Sequence, residues 1–192
     1  ESTDIVQKEM YAFTDKGGER ITLRPEATPS MVRTFVEHSL EQELPFAKLY
    51  SIGPMFRYER PQKGRYRQFH QLDVEVFGLA DPAIDGEVID MAATFVAELG
   101  IQSAELVINS VGCEECRPSF SAALLEALGD RLPKLCGDCQ RRAGTNPLRI
   151  FDCKVPADQP LIDELPRSED YLCKECLEHF DAVRRHLDVY GH

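Results

Sequence analysis

Between Arg57 and Arg67 the chain packs five cations, Arg57, Arg60, Lys63, Arg65 and Arg67, into eleven residues of a protein whose formal net charge is −11. A basic cluster in an acidic chain implies a local anionic partner. The flanking segments, Tyr50 to Glu59 and Phe69 to Phe77, read as strands, so the cluster falls in a hairpin loop suited to holding a polyphosphate against a sheet. Side chains alternate along a strand. Arg57 and Glu59 therefore share a face on the first strand, and Gln71, Asp73 and Glu75 share one on the second. Arg57 offers a planar fork for phosphate or carboxylate. Gln71 and Glu75 project from one face roughly 13 Å apart, room for a ligand across them. An exposed charged ribbon would show the same pattern, and that reading stays open. The opposite face, with Tyr50, Ile52, Phe56, Leu72, Val74 and Val76, is mainly apolar and is expected to be covered by helices.

Seven cysteines form the second chemical signal. Three C-x-x-C pairs are Cys113/Cys116, Cys136/Cys139 and Cys173/Cys176, with Cys153 alone. Two such pairs suffice for a tetrahedral Zn²⁺. The first choice joins Cys113 and Cys116 to Cys173 and Cys176, which would pin the base of the cysteine-rich segment. Cys136, Cys139 and Cys153 then form a second possible group, with Asp158 or water to complete it. Reduced thiols and disulfides are the alternatives. An odd count without a secretory segment suits a reducing, cytoplasmic setting, and no thioredoxin-like pattern supports a redox pair.

The elements that must position these groups divide at a composition shift near Ser110-Val111-Gly112. Residues 1–110 lack cysteine and carry the hairpin, a helix from Thr28 to Leu40 with Pro29 in its first turn and Thr28 as cap, a helix from Ile84 to Leu99 ending at Gly100, and a short strand at Leu106-Val107-Ile108. Residues 111–192 are mostly helical, with helices at Ser119–Leu128 and Cys173–Leu187. The expected fold class is α+β: a mainly antiparallel sheet flanked by helices, then a small helical module. No apolar run approaches a membrane span, and the acidic balance argues against nucleic-acid binding by bulk charge. The opening at Glu1, straight into a patterned segment, reads as a piece of a longer protein. His38, His179 and His186 read as solvated. His70 should point away from the ligand face. Arg141 and Arg142 read equally as a solvated pair or as a contact to a phosphate.

The run Phe56-Arg57-Tyr58-Glu59-Arg60-Pro61-Gln62-Lys63-Gly64-Arg65-Tyr66-Arg67-Gln68-Phe69-His70-Gln71 resembles motif 2 of the histidyl-tRNA synthetases, a class II aminoacyl-tRNA synthetase family. Thr3-Asp4-Ile5-Val6-Gln7-Lys8-Glu9-Met10-Tyr11 resembles the segment before that family's amino-acid pocket. Leu23-Arg24-Pro25-Glu26-Ala27-Thr28 resembles its L-R-P-E-G-T, with Ala27 where Gly is usual. Asn146 to Ile150 and Asp152-Cys153-Lys154 resemble its inserted domain. The resemblance implies that Arg57 holds the ATP α-phosphate and the histidine carboxylate, Glu59 receives the adenine amino group, and Arg65 reaches the outer phosphates. Glu26, Ala27 and Thr28 would bind the L-histidine amino group with Gln71 nearby, and Glu75 would accept from the imidazole. It further implies ATP with Mg²⁺, tRNA(His) as acceptor and a homodimer in the full-length family. By comparison with that family the chain lacks motif 1, motif 3, a second histidine-recognition segment and the anticodon-binding domain, so roughly half an active site is expected. Two other readings remain: the regulatory subunit of ATP phosphoribosyltransferase, a non-catalytic relative that need not keep the hairpin, and a zinc-stabilised binding module.

Overall fold

A computed structural model describes residues 5, 9–60 and 62–192. Most of the segment Thr3 to Lys8, and Pro61 of the hairpin loop, lie outside the described residues. Contacts separate the chain into two units, Glu1–Ile84 and Asp85–His192. The architecture is mixed α and β, with two small antiparallel sheets in the first unit and a helical second unit.

In the first unit β1 (Ala12–Thr14) pairs with β2 (Arg20–Thr22). The hairpin of β3 (Ala47–Phe56) and β4 (Gln68–Phe77) pairs over its whole length, from Ala47↔Phe77 to Phe56↔Gln68. Odd residues on one strand face odd residues on the other, so Met55, Phe69, Gln71, Asp73 and Glu75 share a side. Helix α1 (Thr28–Glu37) covers this side. Ala27, Met31 and Met55 form a small core with Leu49 and Phe69 against it, and Phe35 stacks on Phe77 with ring centroids 4.3 Å apart.

This reverses one expectation. The apolar even-numbered face is the open one: Tyr50 is 74% exposed and Ile52 68%, while Met55 is fully buried. Helix cover depends on where the covering helix is tethered, and α1 enters from a segment bonded to the end of β3, where Phe56 N–H donates to the Arg24 carbonyl at 2.7 Å. The helix cap also differs. Ala27 occupies the N-cap position without a side-chain bond and Thr28 is already helical. Helix α2 is a single turn, Leu40–Glu43.

Helix α3 (Pro82–Glu98) ends at Gly100 as expected. Leu106 to Ile108 is not a strand, and Val107 is 79% exposed. A strand needs an edge to pair with, and none of the described strands offers this segment one. Helix α4 (Cys116–Leu128) buries Cys116, Phe120, Leu124 and Leu128, one stripe at four-residue spacing. Helix α5 is Gly137–Thr145, α6 is Gln159–Asp163 and α7 is Lys174–Tyr190; short 3₁₀ turns link them. The stripe of α7 is Phe180, Val183 and Leu187, with half-buried Cys176 one turn earlier. Thus α4 and α7 each carry a cysteine at the start of their buried face.

Within this unit α7 meets α3. The His179 ring lies 2.7 Å from the Asp85 carboxylate and His192 lies 2.9 Å from Asp90. His186 sits so close to Gly86 that a Cβ there would lie 2.9 Å from the His186 Cβ. His179 and His186 are therefore packing residues of a helix pair, which periodicity on one helix alone does not reveal. Arg142 donates to the Arg149 carbonyl and Arg141 pairs with Asp138, so both are engaged inside the module.

The covered side of the hairpin is testable by truncation. Met55→Ala is expected to cost about 2–5 kcal/mol, and Ile52→Ala no more than about 0.5 kcal/mol, read as shifts in the urea midpoint; equal costs would show the wrong face was assigned to the core.

Candidate functional site

The arms of the hairpin continue beyond β3 and β4, with Arg57 N–H donating to the Arg67 carbonyl at 2.9 Å. The tip closes at Gln62 and Arg65, where Arg65 N–H donates to the Gln62 carbonyl. Two further segments line its mouth. Tyr58 N–H donates to the Glu9 carbonyl, and Leu23 N–H to the Tyr11 carbonyl. Tyr11 and Tyr58 meet edge to face at 5.5 Å.

Arg57 is the fixed point. Its Nε–H donates to the Pro25 carbonyl at 2.8 Å, and its guanidinium carbon lies 5.2 Å from the centre of the Phe69 ring. One edge of the fork is thus committed to the loop that leads into Glu26, Ala27 and Thr28, leaving the Nη pair to meet an anion. Ala27 is buried, Glu26 half-buried and Thr28 exposed at the start of α1.

Below Arg57 on the same side, Gln71 sits opposite Gly53, Asp73 opposite Ser51 and Glu75 opposite Leu49. Gly53 has no side chain to fill the space above Gln71, and Arg24 Nη2 comes within 3.4 Å of where its Cβ would be. Gln71 Nε2–H donates to Asp73 Oδ1 at 3.2 Å. Gln71 Oε1 and Asp73 Oδ2 are buried and lack a partner. Two buried acceptors without donors cost stability, and a bound ammonium or N–H group would resolve them. Both predicted residues Arg57 and Gln71 therefore project to one side together with Glu75, and His70 lies on the other. Arg24 and Asp73 were not singled out as site residues by sequence reasoning. The signal for Asp73 was its place on the Gln71–Glu75 face; Arg24 gave none beyond its adjacency to Pro25.

Glu59 and Arg65 are brought together in a different way. Arg65 Nη1–H donates to Glu59 Oε2 at 3.3 Å. Arg67 donates to the Glu59 carbonyl and stacks over Tyr58 at 4.5 Å. Arg65 is half-exposed, so separating the pair costs no more than about 1 kcal/mol, and a nucleotide could take both partners.

All seven cysteines are free. They gather with one carboxylate into two groups: Cys113, Cys116, Cys173 and Cys176, and Cys136, Cys139, Cys153 and Asp158. In each, all four donor atoms lie within 4.8 Å of one another, so both groups could hold a metal ion. In the first, Cys113 Sγ lies 3.6 Å from Cys116 Sγ and 3.9 Å from Cys173 Sγ. Zn–S bonds of about 2.3 Å in a tetrahedron place sulfurs about 3.8 Å apart. The Cys173 N–H donates to Cys116 Sγ at 3.0 Å. That bond, with the Cys113 backbone, holds the Cys116 thiol down at about 6, so a thiolate is favoured there. Donation toward Cys173, then burial, push Cys176 up to about 12. Gly112 is needed beside this group: its φ is +65°, and a Cβ would lie 2.5 Å from the Cys116 Cβ.

Comparison with known proteins follows this geometry. Residues 11–171 match the family model described as tRNA synthetase class II core domain (G, H, P, S and T). The chain is similar to the histidine–tRNA ligase of Geobacter metallireducens, 53% identical over 191 residues, covering all of this chain and 46% of that protein. It is also similar to those of Syntrophotalea carbinolica (54% identical, 97% and 45% covered) and Solibacter usitatus (54%, 98% and 46%). The chain spans about half the length of the curated relatives it matches. A solved structure, titled an ATP phosphoribosyltransferase regulatory subunit/histidyl-tRNA synthetase from Bacillus halodurans C, shares the fold, with a TM-score of 0.61 at 20% identity over 98% of this chain and 52% of that one. With the family model matched from Tyr11 through Tyr171, across hairpin and cysteine-rich module alike, the chain belongs to the class II tRNA synthetase core domain family.

Proposed function

We propose that this chain carries part of the amino-acid activation site of a histidine–tRNA ligase. The observation that carries the reading is the shared face: Arg57, anchored on Pro25, projects to the same side of the hairpin as Gln71 and Glu75, above two buried acceptors that await a donor.

The chemistry is attack of the histidine carboxylate on the α-phosphorus of ATP, giving histidyl-adenylate and pyrophosphate. The histidyl group then passes to a 3′-terminal hydroxyl of tRNA(His), with AMP as the leaving group. Arg57, with its Nη edge presented, orients carboxylate against phosphate and stabilises the charge that builds on the α-phosphate. Glu59 exchanges its Arg65 partner for the adenine amino group, and the released Arg65 turns to the outer phosphates. Glu26 and Thr28 hold the histidine ammonium at the mouth of the Ala27 turn, with Gln71 Oε1 as a further acceptor. Glu75 accepts from the imidazole N–H, which rejects side chains lacking that donor. Mg²⁺, a hard cation taking oxygen ligands, would neutralise the nucleotide phosphates.

The core is proposed as residues 1–110 and the cysteine-rich module as 111–192, with a structural Zn²⁺ on Cys113, Cys116, Cys173 and Cys176. The ligase would act as a homodimer in the cytoplasm. No described helix is long and apolar enough to cross a membrane. Retention of Arg57, Glu59 and Arg65 favours a ligase over a non-catalytic relative, since function follows the site and not the fold.

In a ligase of the relatives' length carrying these residues, Arg57→Ala is expected to lower histidine-dependent ATP–pyrophosphate exchange about 100-fold or more, while Arg67→Ala leaves most of it; an Arg57→Ala variant with near-normal exchange would contradict the assignment. Residues 1–192 alone are expected to show no exchange above background, because Arg57 and Glu75 are part of a larger constellation. Robust exchange by this piece would refute that.

A further inference from the structure

Asp158 is the most anomalous charged residue in the second unit. It is 3% exposed. Among the described residues no lysine, arginine or histidine forms an ion pair with it. Its neighbours are instead three thiols. A buried carboxylate without a cation is costly, so the question is what charge belongs there.

We propose that Cys136, Cys139, Cys153 and Asp158 form a second, mixed-donor metal centre that takes one Zn²⁺-class cation through three thiolates and one carboxylate oxygen, separate from the four-cysteine group. The distances fit. Cys136 Sγ and Cys153 Sγ lie 3.9 Å apart, against about 3.8 Å for two sulfurs on one tetrahedral zinc, and Cys153 Sγ lies 3.3 Å from Asp158 Oδ2, against about 3.5 Å for a sulfur and an oxygen. The ligand count is four and the group is closed: Cys139, Cys153 and Asp158 are buried, and half-buried Cys136 marks the side of entry.

The outer shell is already in place. Cys136 N–H donates to Asp158 Oδ2 at 3.0 Å, and Val155 N–H reaches Cys153 Sγ at 3.4 Å. Gln159 Nε2–H donates to the Cys153 carbonyl at 2.8 Å, which stitches the five-residue step from Cys153 to Asp158. Such bonds orient ligands and spread the negative charge of a thiolate centre. Asp158 also occupies the N-cap position of α6 yet makes no side-chain cap bond. Its carboxylate is turned away from the helix that would ordinarily use it and toward the sulfurs.

The connectivity gives the site a purpose. Its loop, Cys136 to Asp158, is nested inside the larger loop that the first group closes between Cys113 and Cys176. Leu128, Leu135, Ile150, Ile162 and Leu165 surround the inner centre. The module is built of four helices joined by 3₁₀ turns, without a sheet, so two nested clamps would reinforce a small core. This inference is independent of the nucleotide chemistry proposed above.

Metal analysis of the 192-residue chain prepared without chelator, with Co²⁺ titration of the reduced metal-free chain, tests it. Two ions per chain are expected, with two tetrahedral Co²⁺ spectra, one of four sulfurs and one of three sulfurs and an oxygen. Asp158→Asn should weaken one site by ~100-fold or more and leave the other. Cys176→Ser should do the converse. Asp158→Cys should keep two ions while converting the second spectrum to the four-sulfur type, a change that a merely structural Asp158 would not produce. One ion per chain in the wild type, or an Asp158→Asn chain with unaltered stoichiometry, affinity and spectrum, overturns the proposal.

Discussion

The hydrogen bond from Arg57 Nε–H to the Pro25 carbonyl joins three things that are far apart in sequence: the end of β3, the turn that starts α1, and the aromatic ring of Phe69 under the guanidinium. With the Phe56 N–H bond to the Arg24 carbonyl it sets where α1 begins and so which side of the hairpin it can cover. Met31 and Ala27 then reach Met55 rather than Ile52. The same tether holds the Arg57 guanidinium over Phe69, on the side of the hairpin that carries Gln71 and Glu75. Helix cover and the polar row are thus on one side of the sheet, and the row lies half-buried beside the helix rather than on an open ribbon.

That coincidence explains which features of the hairpin were legible in the sequence. Period-two alternation sorted Arg57, Gln71 and Glu75 onto one side; the register bears this out for Gln71 and Glu75, and the Arg57 guanidinium over Phe69 puts it on the same side. Alternation carries no sign, however. Tyr50, Ile52 and Leu72 look like a core face and are exposed, because burial is decided by the element that arrives and not by the strand awaiting it. Leu106 to Ile108 failed for a related reason: three apolar β-formers make a strand only if an edge is available. Thr28 as a cap failed locally, since the helix starts one residue earlier than the hydroxyl suggests.

The cysteine groups show the opposite balance. C-x-x-C spacing places two thiols at one point when the first cysteine precedes a helix and the second lies in its first turn, as Cys136/Cys139 and Cys173/Cys176 do at α5 and α7. Short-range geometry was therefore enough to bring the thiols of each pair together, whereas the meeting of Cys113 and Cys116 with Cys173 and Cys176 bridges 60 residues and is not written in the spacing. Asp158 was legible only as one option beside water. Its relation to Cys136 spans 22 residues, and nothing in a single acidic residue distinguishes a ligand from a cap. Burial without a cation separates the two, and burial is a property of the fold.

The two units also treat buried polar atoms differently, and the difference separates a recognition surface from a scaffold. In the hairpin, Gln71 gives its N–H to Asp73 and leaves Gln71 Oε1 and Asp73 Oδ2 without donors. An unfilled acceptor pair raises the energy of the empty protein, and a ligand that brings N–H groups recovers that energy as selectivity, because an analogue without them leaves the cost standing. In the cysteine-rich unit Asp158 Oδ2 has a backbone N–H and a thiol beside it, Gln159 ties down the loop, and the sulfurs accept from Val155 and Cys173. There the missing partner is a charge and not a hydrogen bond. The proposed recognition site, short of donors, would suit a substrate that comes and goes. The metal centre proposed here, with its hydrogen bonds met and its buried carboxylate lacking a cation, would suit an ion that stays.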